Sequence, residues 1–339
     1  MTDIPATMRA LVLHAYDLDG YDSLTLEERR TPRPGKGEVL VRMAASPINP
    51  ADLAFMHGLY GVRKPLPVVP GVEGCGVVVA TGGGLMARRL LGKRVACAAG
   101  DGDGAWAEYM VAPALQCAPL PADVGDEQGA MSIVNPYTAW AQITIARQSR
   151  MRAIIQTTAA GALGRMVIRL GKRRGVQVIN IVRRDSQVKA LQAIGADYVL
   201  NSEAPDFDAQ VRELSRQLNA RLAFDSLAGS MTGRLLAAMP PHSRVVVYGG
   251  LSMEPIQVTP GDLIFNQRSI EGFYLANWVA RQRLLTLLSM QRELRGLTEV
   301  THTEIQLRAP LAAGQRAIAT YEAQMSAGKV LLIPGMAPD

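Results

Sequence analysis

From residue 151 onward, apolar positions fall in short solid runs separated by amphipathic stretches. The runs are "RAIIQT", "VQVINIV", "ADYVLN", "ARLAFDS" and "SRVVVYGG". Between them, "RMVIRLGKRRG", "SQVKALQAIG", "FDAQVRELSRQLN" and "MTGRLLAAMP" repeat apolar residues at helical spacing. Solid runs predict strands buried on both faces, and the helical stretches predict crossovers between parallel neighbours. With "SIEGFYLANW" as a sixth strand, the pattern predicts a doubly wound α/β sheet of the nucleotide-binding kind. The first 120 residues or so differ. "MRALVLHAY", "GEVLVRMAAS", "GVEGCGVVVATG", "GKRVACAAG" and "AWAEYMVAP" are β-type runs punctuated by Gly and Pro, which predicts an antiparallel, barrel-like domain. A long amphipathic segment, "NWVARQRLLTLLSMQRELRG", follows the sixth strand. The tail then reads as strand, helix, strand and can complete the first domain. The expected division is residues 1–123 with 301–339, and residues 124–300. No internal repeat is visible.

Composition narrows the function classes. The 339 residues exceed what one core usually organises, and 48% hydrophobic with 19% charged residues is a globular balance. Cys75, Cys97 and Cys117 are too dispersed for a disulfide framework or a C-x-x-C site, which suits a reducing cytoplasm. The start "MTDIPATMRALVLHAYD" lacks the basic-then-apolar form of a signal peptide, and no run is long enough to span a membrane. The net charge of +6 and pI of about 9.4 raise the question of nucleic acid. The basic residues are scattered and no nucleic-acid-reading motif accompanies them. An anionic small molecule fits the balance at least as well, and no nucleic-acid or membrane partner is expected.

The chemistry begins with "AAGALG", residues 159–164, between a predicted strand and a predicted helix. The first helical turn offers unpaired N–H groups and a positive dipole end, so a pyrophosphate is expected against Ala160, Gly161, Ala162, Leu163 and Gly164. The two glycines allow a tight turn and close helix–strand packing. Arg183 stands about 20 residues beyond Gly164, the offset at which an acid binds the ribose 2′-hydroxyl in an NAD site. A carboxylate there would repel a 2′-phosphate, whereas Arg183 and Arg184 can form charge-assisted pairs with it. The pair predicts NADPH; a solvated strand end is the plainer alternative. Asp185 is expected to start the next turn.

These features together resemble the medium-chain dehydrogenase/reductase superfamily over essentially the whole chain, on "PGVEGCGVVVATG", "AAGALG" and the barrel–nucleotide-domain–tail order. The resemblance implies a GroES-like antiparallel β-barrel catalytic domain and a six-stranded parallel Rossmann domain. "SPINPADLAFMHGLYG", "NPYTAW", "VYGGLS" and "IFNQRSIEGFYLANW" resemble the zinc-free branch of quinone oxidoreductases and mitochondrial-type trans-2-enoyl-thioester reductases. Where zinc-dependent members need sulfur or imidazole, this chain has Asn49, Asp52 and Val72, so no metal is expected. The resemblance implies reduction of an activated C=C bond in an enoyl thioester or enone. It places Tyr60 of "MHGLYG" as the proton donor, with Asn49 orienting substrate or cofactor. A phenol with a pKa near 10 keeps its proton at neutral pH. Tyr60 as a cleft wall and Asn49 as a turn residue beside Pro50 remain open.

By position, the resemblance further implies cofactor contacts from Asn135 and Thr138, from Tyr248, Gly249, Gly250 and Leu251 at the end of the fifth strand, and from Phe273, Tyr274 and Leu275 on the sixth. Lys329 of "GKVLLIP" resembles a tail lysine that reaches the cofactor. Trp278 is expected to line an acyl channel or the domain seam. "AAGALG" is nearer the quinone-reductase version of the turn, which keeps quinone reduction open. A non-catalytic NADPH-binding protein is a third alternative. A homodimer joined along the sixth strands is implied as well.

Overall fold

The computed structural model describes residues 4–18 and 20–337. The chain forms two compact units, residues 1–134 with 302–339, and residues 135–301. In the first unit, β1 (Thr7–Leu13) pairs antiparallel with β2 (Leu24–Arg30). Next come β3 (Glu38–Pro47), α1 (Pro50–Met56), β4 (Glu73–Thr81), α2 (Leu85–Leu90), β5 (Arg94–Ala98), β6 (Tyr109–Pro113), β7 (Cys117–Pro119) and α3 (Asp126–Ala130). β3 is flanked by β4 and β6, and β4, β5 and β7 follow one another, all antiparallel. Isolated bridges Ala10↔Ala107 and Leu13↔Val68 tie β1 to segments outside the named strands. Gly76 shows why glycine punctuates these strands: a Cβ there would lie 2.0 Å from Arg42 O, so only glycine lets β4 approach β3. Residues 124–134 pack with this unit, α3 lying against β3, β4 and β5. The boundary therefore falls later than the hydrophobic pattern suggested, because the short α3 carries no periodic signal of its own.

The second unit alternates helix and strand. It contains α4 (Val134–Gln148), β8 (Ala153–Gln156), α5 (Ala162–Arg174), β9 (Gln177–Val182), α6 (Asp185–Ala193), β10 (Tyr198–Asn201), α7 (Phe207–Gln217), β11 (Leu222–Asp225), α8 (Gly229–Ala238), β12 (Arg244–Val247), α9 (Pro260–Ile264) and β13 (Ser269–Gly272). The strand order is β10-β9-β8-β11-β12-β13, all parallel. Period-2 alternation explains the solid apolar runs. Ile154, Val178, Leu222 and Val246 pack on one face with α4 and α5; Ala153, Ile155, Ile179, Ala223 and Val245 pack on the other with α7 and α8. Both faces of the central strands are covered, which is why their runs are solidly apolar.

Some of the scattered basic residues now have a physical role. Arg147 ends α4, Lys172, Arg173 and Arg174 end α5, and Arg216 ends α7, where a cation complements the helix dipole. The long amphipathic segment is divided between α10 (Leu275–Ala280) and α11 (Leu284–Arg295), with the short α12 (Thr298–Thr301) after it. The tail returns to the first unit as β14 (Ile305–Ala309), α13 (Gly314–Ala323) and β15 (Lys329–Leu332), with β15 antiparallel to β3. Among the described residues, no helix is long and apolar enough to cross a membrane.

Candidate functional site

In the second unit the sheet order reverses between β8 and β11, and ligands of such sheets bind beyond the strand ends at that switch point. The turn 157–161 leaves β8 there and opens α5, with Gly161 as its N-cap. The two glycines are required differently. A Cβ on Gly164 would lie 2.4 Å from Ala159 O, so the packing of α5 on its own turn excludes any side chain. A Cβ on Gly161 would meet nothing nearer than Thr158 O at 3.4 Å, and one on Gly250 nothing within 4 Å. Both therefore leave room that the protein does not fill.

Beneath the turn, Gln156 Nε2 donates to Gly164 O at 3.0 Å and to Asn180 Oδ1 at 2.7 Å. Asn180 Nδ2 in turn donates to Val178 O and Tyr198 O, both at 2.9 Å. Arg183 and Arg184 are exposed just past β9, and Arg184 is the N-cap of α6. Asp185 opens α6 as expected, and its carboxylate accepts a hydrogen bond from Asn201 Nδ2 at 2.7 Å.

Beside the turn lies a polar group that sequence reasoning missed. Buried Asp225, the last residue of β11, accepts hydrogen bonds from Thr157 Oγ1, Thr232 Oγ1 and the Leu227 N–H at 2.6–2.9 Å. Thr158 Oγ1 lies 2.7 Å from Ser226 Oγ, and Thr158 has φ 50°, an uncommon conformation for a β-branched residue. Tyr248 stands beside Ser226, Thr158 and Gln142; burial pushes its phenol up, against hydrogen bonds that favour ionisation. The clue in the sequence was the hydroxyl pair "TT" directly ahead of "AAGALG".

Several expected contacts fall elsewhere. Tyr248, Gly249, Gly250 and Leu251 lie just past β12, at the ligand end of the sheet. Phe273, Tyr274 and Leu275 are not on the sixth strand. β13 stops at Gly272, Phe273 follows it, Tyr274 is the N-cap of α10 and Leu275 starts that helix. Edge position and Gly272 shorten the strand. Asn135 and Thr138 lie in the first turns of α4, with Thr138 buried. Trp278 packs edge-on to Trp140 at 5.9 Å, and Trp140 donates to Glu293, which also pairs with Arg174.

The first unit holds the other group. Pro50 starts α1, and Tyr60 follows its C-terminus, half-buried against the barrel core. The Tyr60 N–H donates to Ala54 O at 3.0 Å, so α1 sets where that segment begins. Asn49 is 1% exposed and turned inward. Its Nδ2 donates to Glu73 Oε1 at 3.1 Å, its Oδ1 accepts from Lys329 Nζ, and its N–H donates to Asp52 Oδ2 at 2.8 Å. Its amide is thus engaged by protein groups inside the unit.

Lys329 is likewise enclosed. It is 2% exposed, donates also to Ile48 O at 3.1 Å, and lies over the Tyr321 ring. The remaining acceptors are saturated: Asp52 Oδ1 by Val72 N–H, and Glu73 Oε2 by the Ile133 and Val134 N–H groups. Burial pushes Asp52 up to about 7, raises Glu73 and lowers Lys329 to about 8. In each case desolvation outweighs the neighbouring opposite charge.

The fold thus defines a two-unit oxidoreductase scaffold with a Rossmann-type second unit. Residues 35–122 match the alcohol dehydrogenase GroES-like domain, and residues 162–290 match a family described as zinc-binding dehydrogenase. A mitochondrial enoyl-[acyl-carrier-protein] reductase of Bos taurus is 30% identical over 325 residues, covering 91% of this chain and 85% of its own. The crystal structure of a candidate NADPH:quinone reductase from Mesorhizobium loti superimposes with a TM-score of 0.91 at 35% identity, covering 98% of this chain and all of its own. A mycobacterial protein solved in complex with NADPH gives a TM-score of 0.80 at 26% identity, covering 96% of this chain and 100% of its own.

The chain belongs to the medium-chain dehydrogenase/reductase superfamily, in its enoyl reductase and quinone oxidoreductase branch. Among the described residues, the zinc in the family description finds no matching set of donors. The Asn49 oxygen is taken by an ammonium that would repel a divalent cation, and no group of three or more His, Cys, Asp or Glu among the described residues is arranged to hold one.

Proposed function

We propose that this protein is an NADPH-dependent, metal-independent reductase of activated C=C bonds, acting on trans-2-enoyl thioesters. The observation that carries the cofactor reading is the exposed Arg183–Arg184 pair at the end of β9, where a carboxylate would select the unphosphorylated dinucleotide. The unfilled space at Gly161 and Gly250 fits the close approach of a dinucleotide, and the first turn of the 13-residue α5 supplies N–H donors for its pyrophosphate. Bound NADPH supplies a hydride. The chain's own task is to orient the acceptor and deliver a proton. Tyr60 is the proton donor in this reading, held at its backbone by α1, and its phenol O–H gives a proton to the α-carbon. The likeness to enoyl-[acyl-carrier-protein] reductases over most of both chains supports the enoyl substrate.

Quinone reduction is the second reading, favoured by the 35% identity to a candidate NADPH:quinone reductase over the whole length and by the "AAGALG" turn. Rates with crotonyl-CoA and with a benzoquinone, for the wild type and Tyr60→Phe, separate the two. The enoyl reading expects Tyr60→Phe to lose about 10²-fold or more with crotonyl-CoA and little with the quinone. Unchanged rates on both substrates would remove it.

A homodimer is part of the proposal. The outer edge of β13 ends the sheet, and Phe265 (84% exposed), Ile264, Leu284 and Leu285 give the same unit a large exposed apolar surface. A reducing, cytoplasmic setting is proposed from the three free, buried thiols.

A further inference from the structure

The mechanism above leaves one buried group of charges without a task. Lys329, Asp52 and Glu73 are each at most 2% exposed, inside a barrel whose other buried side chains are overwhelmingly apolar. Enclosing an ammonium and two carboxylates costs several kcal/mol per ion before their interactions are counted, and a hydrophobic side chain of Lys329's shape would avoid that cost. The arrangement is fully satisfied. Lys329 Nζ donates to Ile48 O and Asn49 Oδ1 and rests over Tyr321; Asn49 Nδ2 donates to Glu73.

What the charges accomplish follows from donor and acceptor types. An ammonium only donates and a carboxylate only accepts, so the Asn49 amide between them has a single tolerable orientation. Flipped, it would set donors against donors and acceptors against acceptors. Asn49 is also the N-cap of α1, and Asp52 closes the cap by accepting the Asn49 N–H. A seven-residue helix has little stability of its own, so its placement depends on such ties. At the other end, Ala54 O accepts the N–H groups of both Leu59 and Tyr60, at 2.8 and 3.0 Å.

We infer that Lys329 is a positioning residue: its enclosed ammonium fixes Asn49, and through α1 it sets the segment that presents Tyr60. The inference rests on the reading of Tyr60 as proton donor. Lys329 itself touches neither substrate nor cofactor in this role.

The test is a double-mutant cycle of Lys329→Met and Tyr60→Phe, with crotonyl-CoA and NADPH as substrates. Lys329→Met is expected to lower kcat about tenfold while the KM for NADPH and its affinity by fluorescence titration stay within twofold. Adding Lys329→Met to Tyr60→Phe is expected to cost nothing further, because the group being positioned is already gone. Losses that multiply, or a Lys329→Met kcat within twofold of wild type, would overturn the inference.

Hydrogen exchange at the Leu59 and Tyr60 amides gives a readout independent of turnover. Faster exchange in Lys329→Met supports the tie through α1, and unchanged exchange overturns it even if Tyr60→Phe proves fully active. Tyr60→Phe activity alone bears on the proton-donor reading. If Lys329→Met does not fold, Lys329→Gln, which keeps a donor toward Asn49 without the charge, is carried through the same cycle and the same exchange measurement. The same outcomes decide it.

Discussion

The two units handle charge in opposite ways. The barrel unit encloses Lys329, Asp52 and Glu73 and satisfies each with backbone groups or the Asn49 amide. The second unit leaves Arg183 and Arg184 exposed, and beneath its glycine turn it buries the neutral amides of Gln156 and Asn180. The difference teaches what each charge is for. Arg183 and Arg184 stay accessible at the surface, whereas a charge whose partners are already inside can only hold geometry.

The largest effect expected from this contrast is Gly164→Val. Its Cβ would lie 2.4 Å from a backbone oxygen that cannot move without the turn. Overpacking of about 3 kcal/mol by urea unfolding is expected, with loss of NADPH binding. A variant as stable as wild type would break the account of the turn. Next comes the pair Arg183→Ala, Arg184→Ala. Charge-assisted bonds of about 1.5–3 kcal/mol predict a rise of about 100-fold in the NADPH Kd, with the NADH Kd changed less than about threefold. Equal weakening of both would reassign the arginines to general solvation.

A smaller effect is expected from pH on the barrel unit. The folded state raises Asp52 from 3.8 to about 7, so its contribution to stability is complete below about pH 4 and lost as pH rises toward 7. Lys329, lowered from 10.5 to about 8, acts in a different window: stability lost below about 8 returns as pH rises toward 10.5. Asp52→Asn should lower Tm overall, because one of two N–H groups loses its acceptor. It should also flatten the fall between pH 4 and 7. A curve parallel to wild type across that window would contradict the assignment.

The smallest change in stability belongs to Gly161→Ala, within about 0.5 kcal/mol since the new methyl meets nothing nearer than 3.4 Å. NADPH affinity should nevertheless fall several-fold. A variant with unimpaired binding would mean that the space at Gly161 is not used.

Much of the nucleotide unit was legible because its information is local. Solid apolar runs gave the strands, helical spacing gave the crossovers, and the glycine turn and the arginines lie near each other in the sequence. The sixth strand was read too long, since an edge strand buries little and "SIEGFYL" carries the same apolar character past Gly272 into the start of α10. The boundary at residue 123 was read too early for a similar reason: α3 is held by contacts with distant strands.

The sequence by itself determined the two-part layout, the parallel sheet, the glycine turn ahead of α5 and the cationic end of β9. Each of these depends on periodicity or on residues close along the chain. Only the tertiary structure decided that Asn49 and Lys329, separated by most of the chain, meet inside the barrel unit. It also decided that Thr158, Ser226 and Tyr248 gather beside the turn. Burial and partner choice are properties of packing between distant segments, and hydrophobic spacing carries no record of which buried polar group will face which.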